Sequence, residues 1–302
     1  RSTLFPYTTL FRSLADSTTQ VGFIDLLGET RSIVGVSHPE FVNTPELKER
    51  IKTGLVSSIG VRLSLNVESL LELSPDIVAV SAVPASRESA FERLRQAGVP
   101  AIVTAEWLEP SPLGRAEWLR VFGALFARDR LADRKFTRIE QAYLRLASLT
   151  QKVEKRPLVL SGFPFKDTWF VPAGDSYVAQ LLHDAGAFYP WRDRPGVGSL
   201  NLGIEAVYPV ALEADYWLNP GVVTSMRELL AKDARFRDFS SVRSGRVYNN
   251  NRQVNAAGGN AYWEYGVARP DLILRDLIMI LHPEVFVKND SVNSLTFYKK
   301  IR

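Results

Sequence analysis

The sequence predicts an α/β protein of two lobes, each built on a mainly parallel sheet, joined by one long α-helix. Three observations carry this. Apolar runs of strand length, SIVGVS at 32–37 and DIVAVS at 76–81, alternate with helical segments, the pattern of a parallel sheet covered on both faces. The alternation runs through the first half, stops, and restarts at PLVLS, 157–161. Between the halves, Ala132, Phe136, Ile139, Tyr143 and Leu146 recur at steps of four and three, one continuous apolar stripe. A helix over 131–151 spans roughly 30 Å at 1.5 Å per residue, long enough to bridge two Rossmann-like lobes.

Each element follows from local chemistry. Residues 21–28, VGFIDLLG, read as a short helix closed by glycine. The run 32–37 is a buried strand, 66–73 an amphipathic helix, and 76–81 a strand after the Ser74-Pro75 break. Ser86 caps a helix to residue 98, and PAIVT, 100–104, is the next strand. Ser111-Pro112 opens a helix to about 127, followed by the bridging helix. Beyond it lie a strand at 157–161, helices at 176–185 and 204–213, and a strand at 215–219. A helix at 226–232, a strand at 246–249 and a last helix at 271–281 complete the second lobe. LNVESLLELSPDIVAV from Leu65 and LGIEAVYPVALEADYWL from Leu202 are similar. They read as a duplicated lobe plan, or as two ordinary helix–strand units.

The N-terminus is a separate matter. Residues 3–13, TLFPYTTLFRS, equal the translation of a common short-read sequencing adapter and are set aside as residues 1–13 of foreign origin. The domains expected are therefore an N-terminal lobe at 14–130, the linking helix at 131–152 and a C-terminal lobe at 153–302.

The 302 residues suffice for about two domains. With 46% hydrophobic and 23% charged residues, the composition is that of a globular protein. The net charge of +4 is too small and too scattered for a nucleic-acid partner. No cysteine is present, which excludes disulfides, thiolate metal sites and a cysteine nucleophile. No G-x-G-x-x-G after a strand, no G-x-x-x-x-G-K-[ST] and no G-x-S-x-G occurs, and GVGSLNLG from Gly196 has the wrong spacing. An oxidoreductase or chelatase is thus the weaker reading, and no catalytic residue, cofactor or metal ligand is expected.

In an open parallel sheet, ligands lie at the carboxyl ends of the strands. That rule selects the loops 37–40, 60–62, 82–84 and 106–107, and in the second lobe 163–169, 219–221 and 249–251, which include His38, Trp107 and Asn250. The densest is GFPFKDTWF, with Phe163, Phe165, Lys166 and Trp169, joined by FYPWRDR, with Tyr189, Trp191, Arg192 and Arg194. Aromatic faces beside cations suit a large, flat, anionic chelate. The alternative is that these rings pack the lobe's edge and the charges face solvent. Trp263 either lines the ligand site or anchors the last helix. Trp118 and Trp217 fit a core role, and His183 and His282, near helix C-termini, a structural one.

The blocks NVESLLELSPDIVAV, PAIVTAEWLEPSPLGRAEWLRVFGALF, KDTWFVPAGDSYVAQLLHDAGAFYPW, YWLNPG and GGNAYWEYGVARPDLILRDLIMILHPE resemble the substrate-binding proteins of bacterial ABC importers for iron complexes and cobalamin. The likeness is to the Bacteroidetes-type branch, from about Leu14 to the C-terminus. It implies the class III periplasmic binding protein architecture, with the ligand between two lobes and little closure about a single rigid helix. A ferric siderophore is the leading ligand, with cobalamin or haem next, although a sensing role is also open. The resemblance implies a periplasmic monomer, lipid-anchored in one version, that delivers the chelate to an inner-membrane permease dimer. Glu68 and Glu205, at matching helix starts, would pair with permease arginines; each also simply suits the first turn of its helix. The family's first strand falls where the adapter ends, so its slot should be empty or filled by adapter residues, at a cost in stability.

Overall fold

The structure, a computed structural model, describes residues 11–60, 67–82, 88–166, 168–286 and 294–302. The chain separates into two compact units. The first runs up to Trp107 and adds Glu117–Phe136 and Val254–Ala268; the second takes Leu108–Ala116, Thr137–Gln253 and the chain from Arg269 onward. The sequence places all of 153–302 in the second lobe, whereas the structure gathers 254–268 with the first.

The first unit opens with β1 (Ser13–Ala15), α1 (Thr18–Leu26), β2 (Ile33–Val36), α2 (Pro45–Lys52) and β3 (Ser57–Ser58). It continues with α3 (Val67–Glu72), β4 (Ile77–Ser81), α4 (Glu88–Gln96) and β5 (Ala101–Thr104). The sheet is wholly parallel, in the order β3-β2-β1-β4-β5. Its core gathers Leu14, Val34, Ile59, Leu70, Val78, Val80, Leu94 and Val99, the inward face of strands covered by helices.

The first strand departs from expectation. Its slot is central and filled, and only Ser13 of its three residues belongs to the adapter-like stretch. Leu14 is fully buried, and Ser13 Oγ lies 2.9 Å from Ser32 Oγ. Phe11 and Arg12 also engage the lobe. The Arg12 amide donates to Asp76 Oδ2 at 2.7 Å, its Nε donates to the Leu73 carbonyl, and Phe11 meets Phe126 edge-on. Helix α1 begins earlier than the apolar spacing suggests because Ser17 and Gln20 form a capping box.

Helices α5 (Pro112–Leu125) and α6 (Asp129–Thr150) follow. The division between the units falls within α6, after Phe136, so the predicted bridging helix contributes to both. The second unit proceeds through β6 (Val159–Ser161), β7 (Phe163–Phe165), β8 (Thr168–Pro172), α7 (Tyr177–Asp184), β9 (Ser199–Gly203) and α8 (Ile204–Glu213). Then come β10 (Tyr216–Leu218), α9 (Met226–Lys232), α10 (Ser240–Arg243) and β11 (Val247–Asn249). After α11 (Ala261–Glu264), which packs in the first unit, α12 (Pro270–Leu281) and β12 (Lys299–Lys300) complete the chain.

The second unit's main sheet has the order β12-β11-β10-β6, parallel except for the edge strand β12. Beside it stands a three-stranded antiparallel sheet, β7-β8-β9, that the sequence does not predict. The hairpin β7–β8 turns through Lys166 at φ 54°, with Pro164 kept to the edge strand, where no ladder donor is needed.

Candidate functional site

The antiparallel sheet builds the site. Strand β6 ends at Ser161, and Gly162, at φ 89°, turns the chain directly into β7. The Gly162 carbonyl accepts a hydrogen bond from Trp217 Nε1 at 2.8 Å, fixing that turn to β10. Gly221 follows β10 with its Cα against the Phe163 ring, where a Cβ would come within 2.9 Å. The loop behind it is clamped, since Asn249 Nδ2 donates to the Gly221 and Val223 carbonyls at 2.8 and 3.1 Å. Phe163 thus stands at the carboxyl ends of β6 and β10, where an open parallel sheet places ligands.

Here a pocket of about 310 Å³ opens, walled by Phe163, Pro164, Phe165, Lys166, Trp169 and Ile204 and closed by Lys232, Asp233, Arg235 and Phe236. Its floor is the aromatic core. Trp169 lies 5.6 Å from Trp217 and 6.1 Å from Phe236, and both tryptophans are fully buried. Phe165, by contrast, is 67% exposed, with Lys166 Nζ 5.8 Å from its ring centroid.

The rim is cationic. Arg235 donates to both Asp233 oxygens, from Nη2 to Oδ2 at 2.6 Å and from Nε to Oδ1 at 3.0 Å. This pairing holds the Asp233 carboxyl below, and the Arg235 guanidinium above, its ordinary range. Lys166 and Lys232 have no ion-pair partner among the described residues. Trp169 Nε1 is buried without an acceptor. Two ammonium groups and an indole N–H without partners among the described residues, with a paired guanidinium, around an aromatic floor favour an anionic, partly aromatic guest.

The remaining predicted residues fall elsewhere. Tyr189 and Trp191 are buried and meet edge-to-face at 5.6 Å, and the Tyr189 hydroxyl donates to the Pro172 carbonyl, its pKa pushed up by burial. Arg192 donates to the Gly174 carbonyl, which ties the FYPWRDR loop to the end of β8. None of these three lines the pocket. The Asn250 amide bonds to Asn249 Oδ1 at 3.0 Å. The loop residues Val61, Arg62, Val83 and Pro84, the helix start at Asn66 and the cap at Ser86 lie outside the described residues.

In the first unit, the strands' carboxyl ends carry a buried polar network. Asp16 accepts from Ser37 Oγ at 2.8 Å and from the Ser81 amide at 3.2 Å, Gln20 Nε2 donates to Thr104 Oγ1, and Thr19 Oγ1 donates to Glu106. This network holds Ser37 and Glu106, the first residues of the predicted loops 37–40 and 106–107, and Ser81, just before 82–84. His38 follows Ser37, stacks on Phe41 at 5.2 Å and meets Glu40 Oε1 at 3.1 Å. Trp107 follows Glu106, is 43% exposed and donates from Nε1 to the Ala82 carbonyl.

Trp263, 46% exposed on α11, reaches the same unit through two anchors. Asn255 Nδ2 donates to the Glu40 and Val42 carbonyls, and buried Glu264 accepts from the Asn43 and Thr44 amides and Thr44 Oγ1 at 2.5–2.7 Å. Burial nonetheless raises the Glu264 pKa, outweighing those donors. Glu68 and Glu205 are both exposed, each in the first turn of its helix.

Lys232, Asp233, Arg235 and Phe236 escape the sequence reading. Their signal is the stretch AKDARFRD, in which cations, acids and an aromatic ring interleave from the last turn of α9 onward. Among the described residues, no group of three or more His, Cys, Asp or Glu side chains could hold a metal ion.

A sequence profile described as periplasmic binding protein matches residues 15–253. Two uncharacterized lipoproteins of Methanocaldococcus jannaschii are similar at 24% and 26% identity, over 92% and 90% of this chain. The chain spans 66% and 68% of their lengths. Among solved structures, the periplasmic heme-binding protein RhuT of Roseiflexus sp. RS-1 aligns at a TM-score of 0.69 and 20% identity, over 92% of this chain and all of that one. The Vibrio cholerae siderophore-binding protein FhuD, solved with Fe3+-Desferal, aligns at 0.63 and 17%, over 90% of this chain and all of that one.

Proposed function

The chain belongs to the periplasmic binding protein family, and on that premise we propose that it is the substrate-binding component of an ABC importer for a metal chelate. The chelate is a ferric siderophore carrying net negative charge. The observation that carries this is the second-unit pocket, in which Lys166 and Lys232, without an ion-pair partner among the described residues, stand beside Phe163, Phe165 and Trp169. Ammonium groups over aromatic faces bind an anionic aromatic chelate by charge and stacking together. The solved relatives named for heme and for a ferric siderophore complex support the ligand class. The lipoprotein names of the sequence relatives support a lipid-anchored protein.

Within the first unit, taken by itself, the residues we propose for ligand contact are His38 and Trp107, beside Ser37 and Glu106 of its polar network, and Trp263 on α11. Glu68 and Glu205 are the docking acids for the permease. On this reading the protein acts by capture and release. The test is a tryptophan-fluorescence titration with a ferric siderophore, haem and cobalamin. Saturable quenching by the ferric siderophore is expected, whereas quenching by cobalamin alone overturns the assignment of an anionic ferric ligand.

A further inference from the structure

The outward face of α6 carries a charge pattern that ligand capture does not use. Its inner face buries Ala132, Phe136, Ile139, Tyr143 and Thr150. At about 100° per residue, Arg130, Arg134, Arg138 and Arg145 fall within an arc of roughly 80° on the opposite side, with Gln141 and Ser148 between them. All six are exposed. None of the four guanidinium groups has a hydrogen-bond or ion-pair partner among the described residues. No acid enters the arc, and flanking Asp133 is taken up by Arg120 at 2.7 Å. Leu144 and Leu149 border it, at 55% and 42% exposure, and exposed Lys152 follows the helix.

A solvated helix face ordinarily gains by placing acids and bases four residues apart. Here Arg130, Arg134 and Arg138 repeat like charge at that spacing, which is mildly repulsive until an outside anion neutralises it. The arginines run for roughly 22 Å along one helix, at 1.5 Å per residue. A straight basic strip edged with leucine matches a planar anionic surface with an apolar interior.

We propose that this face of α6 docks on anionic phospholipid headgroups and holds the anchored protein against the bilayer. This rests on the reading of the protein as lipid-anchored. A single lipid chain binds only marginally and reversibly, and a basic patch is the second signal that makes anchoring stable. Each arginine at such a surface strengthens binding about fivefold at low salt.

The test is sedimentation of the chain, without any anchor, with vesicles of phosphatidylcholine alone or mixed with phosphatidylglycerol. Binding to the mixed vesicles only, weakened by added salt, is expected. The triple variant Arg134→Glu, Arg138→Glu, Arg145→Glu should lose more than tenfold in partitioning, as should the corresponding alanine triple in smaller measure. A control with the same charge change elsewhere, Lys48→Glu, Lys52→Glu, Arg243→Glu, should lose far less. Equal binding to both vesicle types, an equal loss in the control, or retention on polyglutamate beads without vesicle binding would overturn the proposal. Vesicle binding with no chelate binding would instead fault the ligand assignment and leave this inference standing.

Discussion

Glu264 shows how a single side chain ties 254–268 to the first unit. Its carboxylate satisfies the amides of Asn43 and Thr44 and the Thr44 hydroxyl, and those amides precede α2, whose donors have no partner within the helix. Glu264→Gln turns an acceptor into a donor facing amide donors, so thermal unfolding should report a loss of about 1–3 kcal/mol. The pH dependence has a definite sign. The folded-state pKa of Glu264 is raised, so its stabilising share is full below the unfolded value of 4.5 and declines as pH rises through the raised one. Unfolding of wild type and Glu264→Gln over that range should show the gap between them narrowing with rising pH; a gap that widens contradicts the burial argument. At the pocket, the GFPFKDTWF residues were legible because aromatic rings and a cation crowd a strand end. Tyr189, Trp191 and Arg192 look the same in sequence, yet their partners, the Pro172 and Gly174 carbonyls and each other's rings, are invisible there.

Among the elements, β1 has the largest effect for its length. Three residues occupy the centre of the first sheet, paired with β2 and β4, so Leu14→Ala should cost about 2–5 kcal/mol in denaturant unfolding. A change below 1 kcal/mol would show the slot to be dispensable. Helix α1 packs on α11 so closely that a Cβ on Gly22 would sit 1.8 Å from the Glu264 carbonyl oxygen. Gly22→Ala should therefore displace α11 and raise the protease sensitivity of 254–268, whereas Gly28→Ala meets no atom within 4 Å and strains only its φ of 74°. The parallel strands and long helices were readable because burial on both faces, or one continuous stripe, writes itself into the apolar pattern. The antiparallel sheet was not, since β9, SLNLG, alternates exposed and half-buried positions without an apolar run. Helix α2 was missed for a similar reason: PELKERIK buries only Leu47.

For the whole molecule, the chain passes between its two units on either side of 108–116, within α6, and again on either side of 254–268, returns that the sequence does not announce. Glu68 in the first unit and Glu205 in the second are each exposed in the first turn of a helix, and reversing both charges should abolish uptake in cells while leaving ligand affinity unchanged. Loss of affinity instead would place these acids at the ligand. Whether the cationic, aromatic pocket of the second unit holds the chelate is tested most directly by calorimetric titration with an anionic ferric siderophore. Wild type should bind saturably, and Lys166→Ala with Arg235→Ala should bind at least tenfold more weakly at an unchanged melting temperature, as charge-assisted contacts of about 1.5–3 kcal/mol require. Equal affinity in the double variant would contradict the account.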